Sequence, residues 1–217
     1  MINAQKIIRL VRFKEKDNNE IKFSDYDIIQ SLNEVIRYLN MRLSTMNADF
    51  LERTVLLDEK EINEEIDEAN ALLGSGQPTQ EHVVFPVTGV ELPDDYLSLM
   101  AVLRTGNSCC CNDYRLKCVP PRAHLHRDEY YIMGNRLYAA CHTVRLYYRA
   151  KIDQVTDADD TIDLPEFFMD GLAKMTSMIL NNSAETDVMR EAIDREIDRM
   201  IPHRRYSNVR VAMPWQV

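Results

Sequence analysis

The stretch VELPDDYLSLM, residues 90–100, is written almost a second time as TIDLPEFFMDGL, residues 161–172. Each copy has a β-branched residue and an acid, then Leu-Pro, then further acidic residues. Proline at the first helical position and carboxylates in the first turn favour a helix start, which fits the second copy. In the first copy the following LSLMAVLR has strand character, and PDDY is then a turn. A general boundary device explains either copy alone, while together they mark where the chain enters and leaves a predicted sheet.

Around the first copy and up to the second, residues 81–152 follow the period of two that is typical of strands. Short segments rich in β-branched, aromatic and apolar residues are separated by Gly, Pro and Asn: EHVVFPV, LSLMAVLR, YRLKCV, EYYIM, RLYAAC and TVRLYYRAKI. Gly134-Asn135 between two of them predicts a two-residue hairpin loop of type II′. The region therefore predicts a small antiparallel β meander.

On both sides of residues 81–152, apolar residues recur at the spacing of a helix. Ser24 predicts an N-cap, with Asp27 three residues later as a short-armed variant of the capping box. Behind it, one helical face collects apolar residues: Ile28, Ile29, Leu32, Val35, Ile36, Leu39 and Leu43. The segment after residue 47 is ambiguous, and we expect a strand or an irregular passage to Leu57, followed by an acidic helix. The predicted helices are 3–13, 24–46, 58–73, 165–181 and 184–201.

These patterns predict an α+β fold, a helical bundle of N-terminal and C-terminal helices with a small antiparallel β meander in the middle of the chain. We expect residues 1–202 to form a single domain and residues 203–217 to be an extended C-terminal tail. A chain of 217 residues is long enough to bury about 70% of its unfolded surface, so a substantial core is expected.

Composition limits the classes of function. The chain has 45% hydrophobic and 28% charged residues, which is ordinary for a globular protein. Its net charge of −9 disfavours wrapping of duplex DNA, because phosphate neutralisation requires concentrated Lys and Arg. No apolar run approaches the about 20 residues that span a bilayer, and the N-terminus lacks the pattern of a signal peptide. We therefore expect an intracellular protein with reduced cysteines and no membrane partner.

Motifs for catalysis and for structural zinc are missing from the sequence. There is no phosphate-binding loop, dinucleotide-binding turn, HExxH helix or nucleophile elbow, so we expect a protein that is not an enzyme and uses no cofactor. Soft zinc ligands do occur, but without paired CxxC knuckles: Cys109, Cys110, Cys111, Cys118, His124, His126, Cys141 and His142. Surface histidines and free thiols are the simpler interpretation, and no role follows for the three consecutive cysteines.

A series of segments, taken in order, resembles the head-to-tail adaptor proteins of bacteriophages, the connectors that lie beneath the portal. The segments are IIRLVRFKEKD, FSDYDIIQSLNEVIRYLN, VELPDDYLSL, YYIMGNRLY, VRLYYRAK and IDLPEFFMDGLAKM, and they cover most of residues 3–181. The resemblance depends on their order, since no single segment is diagnostic. The acidic segment 58–68 and the cysteine run depart from the family pattern.

The resemblance implies a virion structural protein of the phage neck, made in the host cytoplasm, that assembles as a homo-oligomeric ring of about twelve copies with heterologous contacts. Such a ring docks on the portal protein, continues the DNA channel and supports downstream tail or nozzle proteins. Genomic DNA would pass through the lumen without specific binding. The alternative is a small metal-binding or nucleic-acid-binding regulatory domain, which the arginines of the tail would favour.

Two segments are candidate sites. The tail combines aromatic, Met and Arg residues, the composition of interface anchors: Arg204, Arg205, Tyr206, Arg210, Met213 and Trp215. Since similar adaptors dock on the portal through a C-terminal segment, we expect a partner interface here, and the alternative is that Trp215 completes the chain's own core. Residues 58–68 carry seven carboxylates and one lysine. They either line the lumen, where they would repel phosphate, or form a solvated outer face.

Overall fold

The computed structural model of the chain describes residues 1–17, 19, 21–44, 49–73, 78–105, 113–121, 124–181 and 187–200. The chain divides into two compact units. The helical unit comprises Met1–Phe50 and Ile152–Val217, and the β unit comprises Leu51–Lys151. The middle of the chain is thus a structural unit in its own right, inserted between the two halves of the other.

The elements follow the chain in this order: β1 (Ile2–Asn3), α1 (Ala4–Glu15), α2 (Asp25–Leu43), β2 (Glu52–Asp58), α3 (Glu59–Ala71), β3 (Val90–Glu91), β4 (Tyr96–Arg104), β5 (Tyr114–Arg115), β6 (Lys117–Cys118), β7 (Glu129–Met133), β8 (Arg136–Ala139), β9 (Thr143–Ala150), β10 (Thr161–Ile162), α4 (Met169–Asn181) and α5 (Asp187–Met200). Each of these five helices overlaps one of the five helical ranges that the sequence predicts. Strand β2 lies outside the predicted β region 81–152.

In the helical unit, α4 packs against α1, α2 and α5. The apolar face predicted for α2 is buried, with Leu32, Val35 and Leu39 at 0% exposure. The capping box is confirmed, because the Ser24 hydroxyl accepts from the Asp27 amide and the Asp27 carboxylate accepts from the Ser24 amide. Local sequence at residue 24 therefore fixes where this helix begins.

A buried carboxylate organises the turn between α1 and α2. Asp17 accepts hydrogen bonds from the backbone amides of Ile21, Lys22 and Phe23 at 3.0, 2.9 and 3.0 Å, and from the Arg12 guanidinium at 3.4 Å. The hydrogen bond from the Lys22 amide is the largest cause of the lowered pKa of Asp17. One ionised side chain thus collects three backbone amides and a guanidinium in this turn.

The β unit contains two four-stranded sheets, with strand orders β2-β9-β4-β5 and β3-β8-β7-β6. Strand β9 alternates strictly between half-buried and buried residues, and Val144, Leu146, Tyr148 and Ala150 point into the core. Both sheets contribute to one apolar cluster, which also includes Phe85, Val90, Leu92, Val102, Leu116, Tyr130, Leu137 and Ala139. The two sheets therefore bury their inner faces in a shared core.

The predicted helical bundle with a small antiparallel meander is wrong. The middle of the chain forms two sheets with their own core, and β6 pairs with β7 in parallel rather than antiparallel orientation. The physical reason is a long-range pairing: β2, far upstream of the predicted β region, pairs along its full length with β9, from Glu52↔Arg149 to Asp58↔Thr143. This pairing, together with α3, makes the β unit larger than a meander.

Two asparagines seven residues apart on a helix hold an extended segment in the helical unit. Asn33 of α2 donates to the Val155 carbonyl at 2.8 Å and accepts from the Val155 amide at 2.8 Å. Two turns further along α2, Asn40 donates to the Ile152 carbonyl at 2.9 Å and accepts from the Ile152 amide at 2.8 Å. The two side-chain amides pair with the segment as a neighbouring strand would.

The β unit contains the same arrangement on α3. Asn63 exchanges hydrogen bonds with the backbone of Val83 at 2.9 and 2.7 Å, and Asn70 does so with Gln80 at 2.9 and 2.8 Å. Both asparagine pairs have the seven-residue spacing that places side chains two helical turns apart on one face. We call these two arrangements the asparagine clamps.

The clamps explain the setting of the repeated Leu-Pro phrase. The leucine of the second copy, Leu164, lies 72 residues after the leucine of the first, Leu92. The clamped residues that precede the two copies, Val83 and Val155, have the same separation of 72 residues. Leu92 and Leu164 are both buried, at 3% and 1% exposure. In each copy the proline carbonyl accepts a hydrogen bond three residues on, from Tyr96 after the first proline and from Phe168 after the second.

After this shared turn the two copies differ. The first continues as strand β4, and the second continues through a 3₁₀ turn, Glu166–Phe168, into α4. Pro165 is the N-cap of that turn rather than its first helical residue. The repeated phrase therefore marks the end of a clamped segment in both units, and the next residues decide between strand and helix.

Candidate interaction surfaces

The six residues predicted as a partner interface lie outside the described part of the chain: Arg204, Arg205, Tyr206, Arg210, Met213 and Trp215. The same holds for Cys109, Cys110 and Cys111. The docking tail therefore stays a prediction. The described residues offer three other surfaces, two in the β unit and one in the helical unit.

The acidic segment, residues 58–68, includes the last residue of β2 and most of α3. Asp58 is the N-cap of α3 and accepts from the Lys60 amide at 2.9 Å. The Thr143 hydroxyl donates to the same carboxylate at 2.8 Å, and this hydrogen bond is the largest cause of the lowered pKa of Asp58. Glu59 accepts from the Phe85 amide at 2.8 Å and contacts His142 at 3.0 Å. Two of the seven carboxylates thus have structural roles.

The rest of α3 is attached along one side only. Asn63 and Asn70 bind residues 80–83, and no residue of α3 is buried. Ile62 and Ile66 are half-buried, and Leu72 at the C-terminal end is 88% exposed. Helical spacing places the carboxylates of Glu61, Glu65 and Glu68 on the side of α3 away from the asparagines. We call these three residues the carboxylate flank.

A pocket of about 590 Å³ lies beside α3 within the β unit. Its apolar wall comes from Leu57, Ile62, Ile66, Val83 and Val90. Its polar rim includes Arg136, which donates to the Thr88 carbonyl at 3.0 Å and to Glu91 at 2.9 Å, and His82, which contacts Asp67 at 2.7 Å. We call this cavity the α3 pocket.

A basic segment lies at the opposite edge of the first sheet, since β2, which leads into α3, and β5 are its two outer strands. Tyr114, Arg115 and Lys117 are exposed, while Leu116 between them is buried at 4% exposure. The Leu116 amide donates to the Val102 carbonyl at 2.9 Å, and the Lys117 amide to the Asp128 carbonyl at 2.8 Å. Residues 114–118, the basic segment, are therefore held rigidly between the two sheets.

The histidine and cysteine candidates are dispersed. His124, His126 and Cys118 are exposed, Cys141 is half-buried, and burial raises the pKa of the Cys141 thiol. His142 is exposed and contacts Glu59 rather than a cysteine. Among the described residues, no group of three or more His, Cys, Asp or Glu side chains could hold a metal ion.

The helical unit has a groove of about 450 Å³ between α2 and α5. Met41 on its wall is 65% exposed, and Arg42 pairs with Asp194 at 3.3 Å and with Asp198 at 3.2 Å. The ion pairs fix α5 to α2 alongside the buried Ile193 and Ile197.

Neither the basic segment nor the asparagine clamps contain a catalytic or ligand-binding sequence motif. The signal for the basic segment is the alternation in YRLKC, where one apolar residue stands among polar ones. The signal for the clamps is the seven-residue spacing of Asn33 with Asn40 and of Asn63 with Asn70. Both signals are weak, and the structure is needed to show what they mark.

Comparison with known protein families identifies a match over nearly the whole chain. The sequence model of the SU10 adaptor protein family matches residues 2–214. No curated protein matches the chain. None of the described helices has both the length and the apolar character needed to cross a membrane.

Proposed function

The chain belongs to the SU10 adaptor protein family, and we propose that it is a head-to-tail adaptor that forms a ring, docks on the portal, continues the DNA channel and supports tail attachment. The family match over residues 2–214 is the observation that carries this proposal. It supports a structural adaptor protein of a bacteriophage, located in the neck of the virion. The proposed role is assembly rather than catalysis, with the subunits made in the host cytoplasm.

Charge supports a channel that DNA crosses without being held. The chain has a net charge of −9, with 35 Asp and Glu residues against 26 Lys and Arg residues. Carboxylates near a phosphate backbone repel it at distances within the Debye length, about 8 Å at physiological salt. A ring of such subunits would therefore let the genome pass, whereas a ring rich in Lys and Arg would retain it.

The tail, residues 203–217, is proposed to dock on the portal. Arginine, tyrosine and tryptophan are the residue types that most often dominate binding energy at interfaces. The described structure adds one supporting fact, that the helical unit buries a core of its own up to α5, including Ile193 and Ile197 at 1% and 0% exposure. A chain that ends after Pro202 is therefore expected to fold.

The test is cosedimentation of the purified chain with its cognate portal, using the full chain and a variant that ends at residue 202. We expect the full chain to bind the portal and the shortened chain to fold, as judged by circular dichroism, but to lose binding. Equal binding by both would refute the docking tail, and an unfolded shortened chain would show that Trp215 belongs to the core. If the full chain does not bind the portal but binds DNA in a salt-sensitive manner, the adaptor role itself is refuted.

A further inference from the structure

The β unit carries an apolar surface that its own chain does not fill. Ile62 and Ile66 of α3 are only half-buried, and both line the α3 pocket of about 590 Å³. Pockets that receive small-molecule ligands measure about 300–1,000 Å³. This cavity therefore has more than enough room for one large side chain, and its apolar wall suits an aromatic ring.

The basic segment offers such a side chain. Tyr114 is 55% exposed, although it is large and aromatic, and the exposed cations Arg115 and Lys117 follow it closely in sequence. Buried Leu116 and the backbone hydrogen bonds at residues 116 and 117 fix this segment before any partner arrives. A preorganised anchor of this kind loses little conformational entropy on binding.

The charges of the two surfaces are opposite and uncompensated. Within the described part of the chain, Glu61, Glu65 and Glu68 have no cationic partner. Arg115 and Lys117 likewise have no carboxylate partner among the described residues, since Arg115 donates only to the Met100 carbonyl at 3.2 Å. Complementary patches of this kind fix the register of an interface and suppress wrong contacts.

We propose that the basic segment of one copy docks against α3 of the next copy, with Tyr114 in the α3 pocket and Arg115 and Lys117 against the carboxylate flank. The two surfaces differ and lie toward opposite edges of one sheet, so the contact is head-to-tail and repeats from copy to copy. This inference rests on the proposed ring and names its subunit interface. It places the acidic segment between subunits, rather than in the lumen or on the outer face.

Side-chain alternation allows both contacts at once. Tyr114 and Arg115 are consecutive residues of β5, so their side chains leave the strand on opposite sides. A helix that meets β5 edge-on therefore faces the tyrosine on one side and Arg115 on the other. On α3 the pocket-lining isoleucines and the carboxylate flank are adjacent faces of the same helix, which matches this division.

The experiment uses two charge-reversal variants of the full chain and the cognate portal, with rings counted by negative-stain electron microscopy. The first is Glu61→Lys with Glu65→Lys, and the second is Arg115→Glu with Lys117→Glu. Each alone would set like charges against each other at every contact, and we expect at least about a tenfold rise in the concentration needed for half-maximal ring formation. Circular dichroism checks that both variants fold.

An equimolar mixture of the two variants is the decisive sample. Each copy then meets a partner with the opposite charge pattern, so we expect rings to return to within about threefold of the wild-type concentration. Wild-type assembly by both variants alone would overturn the interface, as would two defective variants whose mixture stays defective. In both of those cases the wild-type ring, and with it the proposed function, would stand.

The matched control is Asp153→Lys with Asp159→Lys, two exposed carboxylates of the helical unit. It changes the net charge as much as the first variant does, and we expect it to assemble as the wild type does. A control that is equally defective would assign the effect to net charge and overturn the inference. A wild-type chain that forms no ring on its portal would refute the proposed function, and the inference with it.

Discussion

Replacing Asn40 by alanine should destabilise the helical unit far more than a single hydrogen-bonded surface residue would. Asn40 donates to the Ile152 carbonyl at 2.9 Å and accepts from the Ile152 amide at 2.8 Å. Ile152 is 2% exposed, so water has little access to the backbone groups that the substitution would leave without a partner. An unsatisfied buried polar group costs about 1–3 kcal/mol. Two such groups give an expected loss of about 2–6 kcal/mol in the free energy of unfolding.

The matched control is Asn70→Ala in the β unit. Asn70 makes the same two hydrogen bonds, to the backbone of Gln80, but both of these bonds are exposed to solvent. Water can replace them, so the expected loss is about 1 kcal/mol or less. The assay is urea denaturation followed by circular dichroism, with the midpoint and the slope compared among wild type and both variants. Equal losses for Asn40→Ala and Asn70→Ala would refute the reasoning that burial decides the strength of a clamp.

Three further predictions concern local structure. Gly89 has φ of 67°, and an added Cβ would lie 2.9 Å from the Tyr138 ring, so Gly89→Ala should lose about 2–4 kcal/mol in thermal or urea unfolding. Gly134→Ala, at φ of 62° with open space around it, should lose only about 1–2 kcal/mol, and equal losses would argue against the contact. Ser24→Ala should cost about 1 kcal/mol, and Ser24→Asp should restore most of it if the cap is responsible. Because the pKa of Asp17 is lowered in the folded state, its contribution is present above the unfolded pKa of about 3.9 and is lost as pH falls through the folded value. Urea midpoints measured from pH 5 down to pH 2 should therefore fall less steeply for Asp17→Asn than for wild type, and identical slopes would contradict this account.

The sequence specified what depends on neighbouring residues. Ser24 with Asp27 gives the start of α2, because both partners of the capping box lie within one helical turn. Gly134 has a positive φ and Asn135 does not, so the hairpin loop between β7 and β8 agrees with type II′ and excludes type I′, which needs both. The first Leu-Pro copy is a turn before a strand and the second leads into a helix, the two outcomes that the flanking residues favour.

What the sequence did not specify depends on distant pairing. The β unit exists as a unit because β2 pairs with β9, whose residues lie 85 to 97 positions later in the chain, from Asp58↔Thr143 to Glu52↔Arg149. Local periodicity carries no information on which strands become neighbours, so the middle of the chain was predicted as a minor meander between helices. The clamps were missed for a related reason, since an Asn side chain that pairs with a remote backbone looks like any polar surface residue in sequence.

The candidate sites divide in the same way. Composition drew attention to the tail, whose aromatic and Arg residues are typical of interfaces, but these residues lie outside the described structure. The α3 pocket and the basic segment belong to the described part and carry no compositional signal of their own. They become visible only when burial shows that Ile62 and Ile66 lack full cover and that Tyr114 is exposed.

The central claim, that this chain is a ring-forming adaptor, is tested most directly by mixing it with its cognate portal and measuring the mass of the complexes by native mass spectrometry. Adaptors of this kind can require the portal as a template, so a monomer in the absence of the portal is compatible with the account. We predict one dominant complex in which a single, fixed number of copies, about twelve, is bound to each portal. A broad distribution of bound copies, or a chain that stays monomeric beside the portal, would contradict it.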